Sequence, residues 1–230
     1  MRLAERARGF LGLTRPVNAV AASVLTFVGA FVSAGGLDTQ FRIAASVLAT
    51  LLAVAAGNAI NDYFDRDIDA INNPERPIPR SAVTPRGALA FSVVLFLAAI
   101  LVALVLPVLA VGIAAVNLLA LVTYTELFKG TPGAGNALVS YLVGSTFLFG
   151  GAAVGNVEPV VVLFVLAGLS TFAREVIKDV EDLAGDAAEG LTTLPVAIGE
   201  RRALWLGTGA LVVAVLASPV PYLQETFGVW

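Results

Sequence analysis

Apolar residues run along this chain in blocks of about 20, separated by short polar segments, and a helix of about that length crosses the hydrocarbon core of a bilayer. The blocks predict membrane-spanning helices over 17 to 36, 43 to 64, 88 to 106, 108 to 125, 136 to 155, 159 to 178 and 203 to 221. The third and fourth come from one apolar stretch too long for a single crossing. Pro107 lies near its middle, has no amide to donate, and divides it. The expected fold class is all-α, a polytopic transmembrane helical bundle of seven spans forming a single membrane-embedded domain over 1–230.

Composition agrees with the pattern: 58% of the residues are hydrophobic and 13% charged, against about 25% charged in a typical soluble domain. The N-terminal MRLAERARGFLGLTRP is charged, but a long apolar run follows it and no small-residue cleavage pattern stands out, so the first span is expected to be retained. There is no Cys and no His, which excludes disulfides, thiolate nucleophiles, the usual zinc sites and a histidine general base. Any chemistry rests on carboxylates, amides, Tyr, Lys and Arg. The net charge of −3 says little about partners by itself. No nucleic-acid partner is expected, membrane lipids are, and the oligomeric state stays open.

The placement of charge says more. With these spans, Arg2, Arg6, Arg8, Arg15, Arg66, Arg76, Arg80, Arg86, Lys129, Arg174, Lys178, Arg201 and Arg202 share one side of the membrane, and only Arg42 of the 14 basic residues falls on the other. Lys and Arg mark the cytoplasmic side of short loops. The chain is therefore expected in the cell membrane as a multi-pass protein with its N-terminus in the cytoplasm. The acids follow the same geometry, Asp38, Glu158 and Glu225 excepted.

Most of those acids lie in two segments, GNAINDYFDRDIDAINNPERPIPR (57 to 80) and REVIKDVEDLAGDAAEGLTTLP (174 to 195), each at the end of a span that runs from outside to inside. Asp62, Asp65 and Asp69 are spaced i, i+3, i+7, and Asp179, Asp182 and Asp186 repeat that spacing. If the helices continue past the membrane edge, each triplet forms one stripe. Asn61, Asp65 and Asp69 form a second stripe at i, i+4, i+8. Carboxylates stacked on one face repel each other, and Mg2+ is the natural offset. It takes hard oxygen ligands, typically one or two carboxylates with phosphate oxygens and water, so two facing stripes could hold a diphosphate. Solvated loops with acids balanced by Arg would explain either segment alone. Matched spacing at equivalent helix ends on one membrane face argues against that for the pair.

Basic residues stand where a diphosphate would need them. Arg76 and Arg80 flank the Pro-rich PERPIPR, Lys129 follows the fourth span in YTELFKG, and Arg174 and Lys178 lie one turn apart. Positive-inside topology explains basic residues here without function; phosphate contact is the reading favoured for Arg76, Lys129 and Lys178. Arg15 precedes Pro16 at the start of the first span, where snorkelling and ligand contact both remain open.

NDYFDRDIDAINNPERPIP resembles the first signature of the UbiA-type intramembrane prenyltransferases, DVEDLAGDAAEGLTTLPVAIG their second, and YTELFKG their Tyr and Lys segment. The resemblance implies a helical bundle whose active site lies at the cytoplasmic helix ends and opens sideways to lipid. It implies that Asn61, Asp65 and Asp69 with Asp182 and Asp186 hold Mg2+, the four aspartates being the catalytic set, that Asp62 and Asp179 support them, and that Arg76, Tyr124, Lys129 and Lys178 contact the diphosphate. Arg15, Arg80 and Arg174 are then candidate partners for a phosphate on the acceptor. The implied function is Mg2+-dependent transfer of a prenyl group from its diphosphate to a lipid-soluble acceptor. REVIKDVEDLAGD and NPERPIP look most like the archaeal ether-lipid branch, in which a geranylgeranyl group is added to geranylgeranylglyceryl phosphate; aromatic quinone precursors and chlorophyllide are alternative acceptors. A transporter with an acidic cytoplasmic vestibule is the alternative from another class, but it would normally carry ionisable residues near mid-membrane. The family core has nine helices, so a chain of seven is expected to lack the last two.

Overall fold

A computed structural model describes residues 3–34, 39–123, 131–188 and 190–223, which fold into helices and turns with no strand among them. An N-terminal helix α1 (Leu3–Leu13) turns at Thr14 and Arg15 into α2 (Pro16–Ser33), which pairs with α3 (Gln40–Phe64). A short α4 (Arg66–Asn72) and a Pro-rich loop lead to α5 (Pro85–Ala103), and α6 (Val108–Thr123) follows after the break at Pro107. Then come α7 (Ala134–Val154), α8 (Val161–Glu181), the short α9 (Leu183–Ala188) and α10 (Leu194–Ile198), α11 (Glu200–Ala217) and a final turn α12 (Val220–Leu223). Six of the seven expected spans are helices long and apolar enough to cross a membrane; α6, with 16 residues, is a shorter apolar helix.

The packing is that of small residues. Ala19, Ala30, Ala45, Ala49, Ala56 and Ala59 are buried along α2 and α3, whereas Val20, Phe31, Phe41, Leu101, Val108 and Leu216 are more than half exposed on the outer surface. That inversion suits a bundle whose solvent is lipid, because lipid gives apolar side chains little reason to turn inward and helix association depends on close backbone approach. A Cβ on Gly29 of α2 would stand 2.5 Å from the Phe147 carbonyl of α7, so this crossing requires glycine. Arg15 opposite Asp62 and Thr26 opposite Thr50 fix the antiparallel register of α2 on α3.

Three features differ from the sequence expectation. The N-terminal segment is a helix that packs on the protein, with Leu13 fully buried among Ala59, Ile78, Val83 and Ala88 and Phe10 edge-on to Phe91 at 5.1 Å. α1 thereby clamps the Pro-rich loop: a Cβ on Gly12 would stand 3.1 Å from Pro77 and one on Gly9 2.8 Å from Val83. Span edges also move by a few residues, the first ending at Ser33 rather than 36 and the last at Ala217 rather than 221. Neither Asp-bearing helix continues uninterrupted past its span. α3 stops at Asp65, where ψ is 2°, and α8 at Asp182, where ψ is 0°.

Candidate active site

Those two interruptions are the same structure made twice. The Asp65 amide donates to the Asn61 carbonyl and the Asp69 amide to the Asp65 carbonyl, both at 2.8 Å. In the second segment the Asp182 amide donates to Lys178 at 3.0 Å and the Asp186 amide to Asp182 at 2.9 Å. Each chain direction bends at the central aspartate while the i to i−4 bonding passes through it, so each triplet keeps roughly the face that an unbroken helix would give it.

In the first cluster, Asp62 and Asp69 are 3% and 4% exposed and are held by arginines. Arg15 donates to Asp62 Oδ1 at 2.5 Å. Arg76 donates to Asp69 Oδ2 at 2.6 Å and reaches Asp62 Oδ1 at 3.5 Å, while the Asn73 amide donates to Asp69 Oδ1 at 3.2 Å. Arg15 adopts a left-handed backbone, φ 44° and ψ 70°, in the elbow between α1 and α2, and the Asn58 amide donates to the Thr14 carbonyl at 2.9 Å beside it. Arg76 comes from the loop that α1 clamps. Arg76, favoured from sequence as a phosphate contact, and Arg15, open from sequence between snorkelling and ligand contact, both meet aspartates of the protein itself.

In the second cluster the donors are neutral. The Asn136 amide, from the start of α7, donates to Asp179 Oδ2 at 2.8 Å, and the Thr193 hydroxyl donates to Asp186 Oδ2 at 2.9 Å. Asp182 is exposed, and its side chain makes no hydrogen bond or ion pair among the described residues. Of the remaining candidates, Arg174 pairs with Glu175 at 2.6 Å, and Arg80 and Lys178 are exposed without an ion pair among the described residues. Tyr124 and Lys129 lie outside the described residues. Asn136 and Thr193 were missed by sequence reasoning. Thr193 stands in the quoted LTTLP; Asn136 carries no signal beyond being an amide at the start of an apolar span.

Asn58 and Asn61 also line a cavity of about 380 Å³ between α3, α5, α6 and α7, within the range of ordinary ligand sites, about 300–1,000 Å³. Away from those two amides its walls are mainly alkyl and aromatic, from residues such as Val54, Phe96, Ile100, Leu118 and Phe149. Asn117 interrupts the apolar wall with an Oδ1 that is buried without a hydrogen-bond partner among the described residues. The arrangement thus joins a strongly anionic helix end to a greasy cleft. The donors are all hard oxygens, which fits Mg2+. Among the described residues no three acidic side chains converge on one point, and Mg2+ needs only one or two carboxylates when phosphate and water complete its shell.

Residues 22–230 match the UbiA prenyltransferase family. The chain belongs to that family. Among relatives of this UbiA chain, the digeranylgeranylglyceryl phosphate synthase of Natronomonas pharaonis is 65% identical over 225 residues, covering 97% of this chain and 81% of that protein. The enzyme of the same name from Halobacterium salinarum is 62% identical over 226 residues, covering 98% and 82%. A solved structure of digeranylgeranylglyceryl phosphate synthase superposes with a TM-score of 0.86 at 37% identity, over 98% of this chain and 81% of that one. A UbiA homolog from Archaeoglobus fulgidus bound to DMAPP and Mg2+ has a TM-score of 0.78 at 19% identity, over 94% and 78%, a likeness of fold. The helical bundle expected of a UbiA prenyltransferase is the one observed.

Proposed function

We propose that this protein transfers a geranylgeranyl group from geranylgeranyl diphosphate to the free hydroxyl of geranylgeranylglyceryl phosphate, with Mg2+ as cofactor. The observation that carries the reaction class is the pair of matched aspartate bends, one of them ending the helix whose Asn58 and Asn61 line the apolar cavity. The acceptor is supported by the relatives, two of them above 60% identity and bearing the name of that synthase.

Asn61, Asp65, Asp69, Asp182 and Asp186 hold Mg2+, which when bound neutralises the diphosphate and makes it a better leaving group. Lys178 and Arg76 orient the diphosphate, joined by Tyr124 and Lys129. The cavity takes the prenyl chain and excludes water, which would otherwise capture an electrophilic allylic carbon. As the bond from that carbon to the diphosphate oxygen breaks, pyrophosphate leaves with the electron pair. The acceptor hydroxyl oxygen bonds to the carbon and its proton passes to pyrophosphate. No ionisable side chain lines the described cavity, so the rate comes from electrophile activation rather than from a base. Arg80 and Arg174, exposed at the same end, meet the acceptor's phosphate.

The bends and the basic residues of their segments lie at one end of the bundle, and this end faces the cytoplasm. The test of the function is product formation by the full protein with geranylgeranyl diphosphate and Mg2+. Digeranylgeranylglyceryl phosphate from the phosphoglycerol lipid is expected. Product only from 4-hydroxybenzoate, homogentisate or chlorophyllide would reject the acceptor, and no product from any acceptor would reject prenyl transfer.

A further inference from the structure

The two clusters share backbone geometry but not electrostatics. In each, the third aspartate is bonded by the side chain seven residues later, Arg76 on Asp69 and Thr193 on Asp186. In each, the first aspartate is bonded from the start of the preceding membrane helix, by Arg15 to Asp62 and by Asn136 to Asp179. The partners correspond in place, yet those of the first cluster are two guanidiniums and those of the second an amide and a hydroxyl. Three carboxylates thus face two directly bonded guanidiniums in one cluster, and among the described residues no cation makes an ion pair with the other. Lys178, next to Asp179 in sequence, is exposed and acts on it only through space, with no ion pair among the described residues, and Arg174 pairs with Glu175 while staying largely exposed.

Resting on the Mg2+-dependent reading above, we propose that the clusters divide the work. The second cluster recruits the divalent cation before diphosphate arrives, one or two of Asp179, Asp182 and Asp186 holding it with water completing its shell. The first cluster, whose charge Arg15 and Arg76 already offset, takes a metal only when a diphosphate draws Arg76 away from Asp69. The physical ground is that a doubly charged ion gains in proportion to the uncompensated negative charge it meets. A neutral donor such as Thr193 can turn aside without leaving a buried ion unpaired, whereas Arg76 must be given another anion before it lets go. Arg76 then acts as an internal stand-in for the cation, and the diphosphate supplies the exchange partner. Metal binding at the first cluster is in this way coupled to the presence of substrate.

The experiment uses the full chain in nanodiscs of zwitterionic lipid, with Mn2+ replacing Mg2+ as an oxygen-seeking probe counted by electron paramagnetic resonance. Without diphosphate the wild type is expected to bind one Mn2+, Asp182→Asn and Asp186→Asn to lose it, and Asp69→Asn to keep it. Arg76→Gln, which retains a donor but removes the charge, is expected to bind a second Mn2+ without diphosphate. Its affinity for the first cluster should rise about tenfold or more, the effect of deleting one charge about 6 Å from a divalent ion even in a medium as polar as water. The gain in Arg76→Gln cannot come from misfolding, so it guards against unfolded aspartate variants. Absence of any metal from the wild type until geranylgeranyl diphosphate is added, equal loss in Asp69→Asn and Asp186→Asn, or no gain in Arg76→Gln would each overturn the division. Absence of metal even with geranylgeranyl diphosphate would instead remove the functional reading on which it rests.

Discussion

Replacing Asp62 by Ala tests whether the first cluster is also a structural joint. The carboxylate is 3% exposed and ties the elbow at Arg15 to the end of α3 across 47 residues of sequence. A charge-assisted hydrogen bond of this kind contributes about 1.5–3 kcal/mol. Stripping one partner from a fully buried ion pair costs about 3–5 kcal/mol, but Arg15 and Arg76 keep 35% and 29% of their side-chain surface exposed and can turn to water. The second contact, at 3.5 Å from Arg76, lies at the limit of hydrogen bonding and adds little. Left-handed backbone at a non-glycine residue stores about 1–3 kcal/mol, and part of that is recovered when Arg15 is released. The balance is a loss of about 2 kcal/mol. SDS-titrated unfolding in mixed micelles, followed by far-UV circular dichroism, measures it. An Arg15→Ala, Asp62→Ala cycle should show a coupling of at least about 1 kcal/mol. Stability unchanged in Asp62→Ala, with no coupling in the cycle, would refute the joint.

Asp65→Ala and Asp182→Ala are expected to remove nearly all transfer while leaving the melting curve unchanged, since neither side chain is buried; near-wild-type turnover in either would contradict the metal assignment. Asp67→Ala, at a side chain 88% exposed and off the stripe, should be silent in the same assay. With no native Cys, Ala188→Cys should be shielded from an impermeant thiol reagent in intact cells and Asn156→Cys labelled, and the reverse pattern would invert the topology. Ala115→Phe narrows the cavity from α6 and should lower kcat/KM for geranylgeranyl diphosphate relative to geranyl diphosphate by about tenfold or more; an unchanged ratio would mean that the prenyl chain lies elsewhere.

Much of this was legible in the chain because the relevant signals are local. Pro107 separates α5 from α6 as its missing amide requires, and the i, i+3, i+7 spacing marks two matching segments in the chain. The bends at Asp65 and Asp182 were not legible, because nothing in either residue type separates a helix that bends with its bonding intact from one that runs straight. Nor could sequence assign partners across distance. From sequence Arg76 reads as a phosphate contact and Arg15 as either a snorkelling residue or a ligand contact, and only the packing of Phe10 and Leu13 against the loop shows that α1 delivers both cations to the protein's own carboxylates. The amphipathic spacing of those two residues was present, but an 11-residue helix is marginal alone, and its partner surface exists only after the loop folds.

The division between an ionic rim and an apolar cavity also explains how a protein without His can join a prenyl chain to an unactivated hydroxyl. Within the described cavity the polar side chains are amides and hydroxyls, Asn58, Asn61, Asn117, Thr50 and Thr146, none of which takes up a proton readily. A reaction that waited for deprotonation of the alcohol would find no group among these side chains to perform it. A reaction driven by stabilising the departing diphosphate needs fixed charge at one end and dryness at the other, and that is how α3 is built, with small residues and amides along the cleft and aspartates where the helix bends into the rim. Arg15, held in its left-handed elbow, and Arg76, held by α1, keep the rim's charges in place before substrate arrives. The left-handed strain at Arg15 is therefore a cost of stability set against orientation, and the site's precision depends on the N-terminal helix as much as on the aspartates.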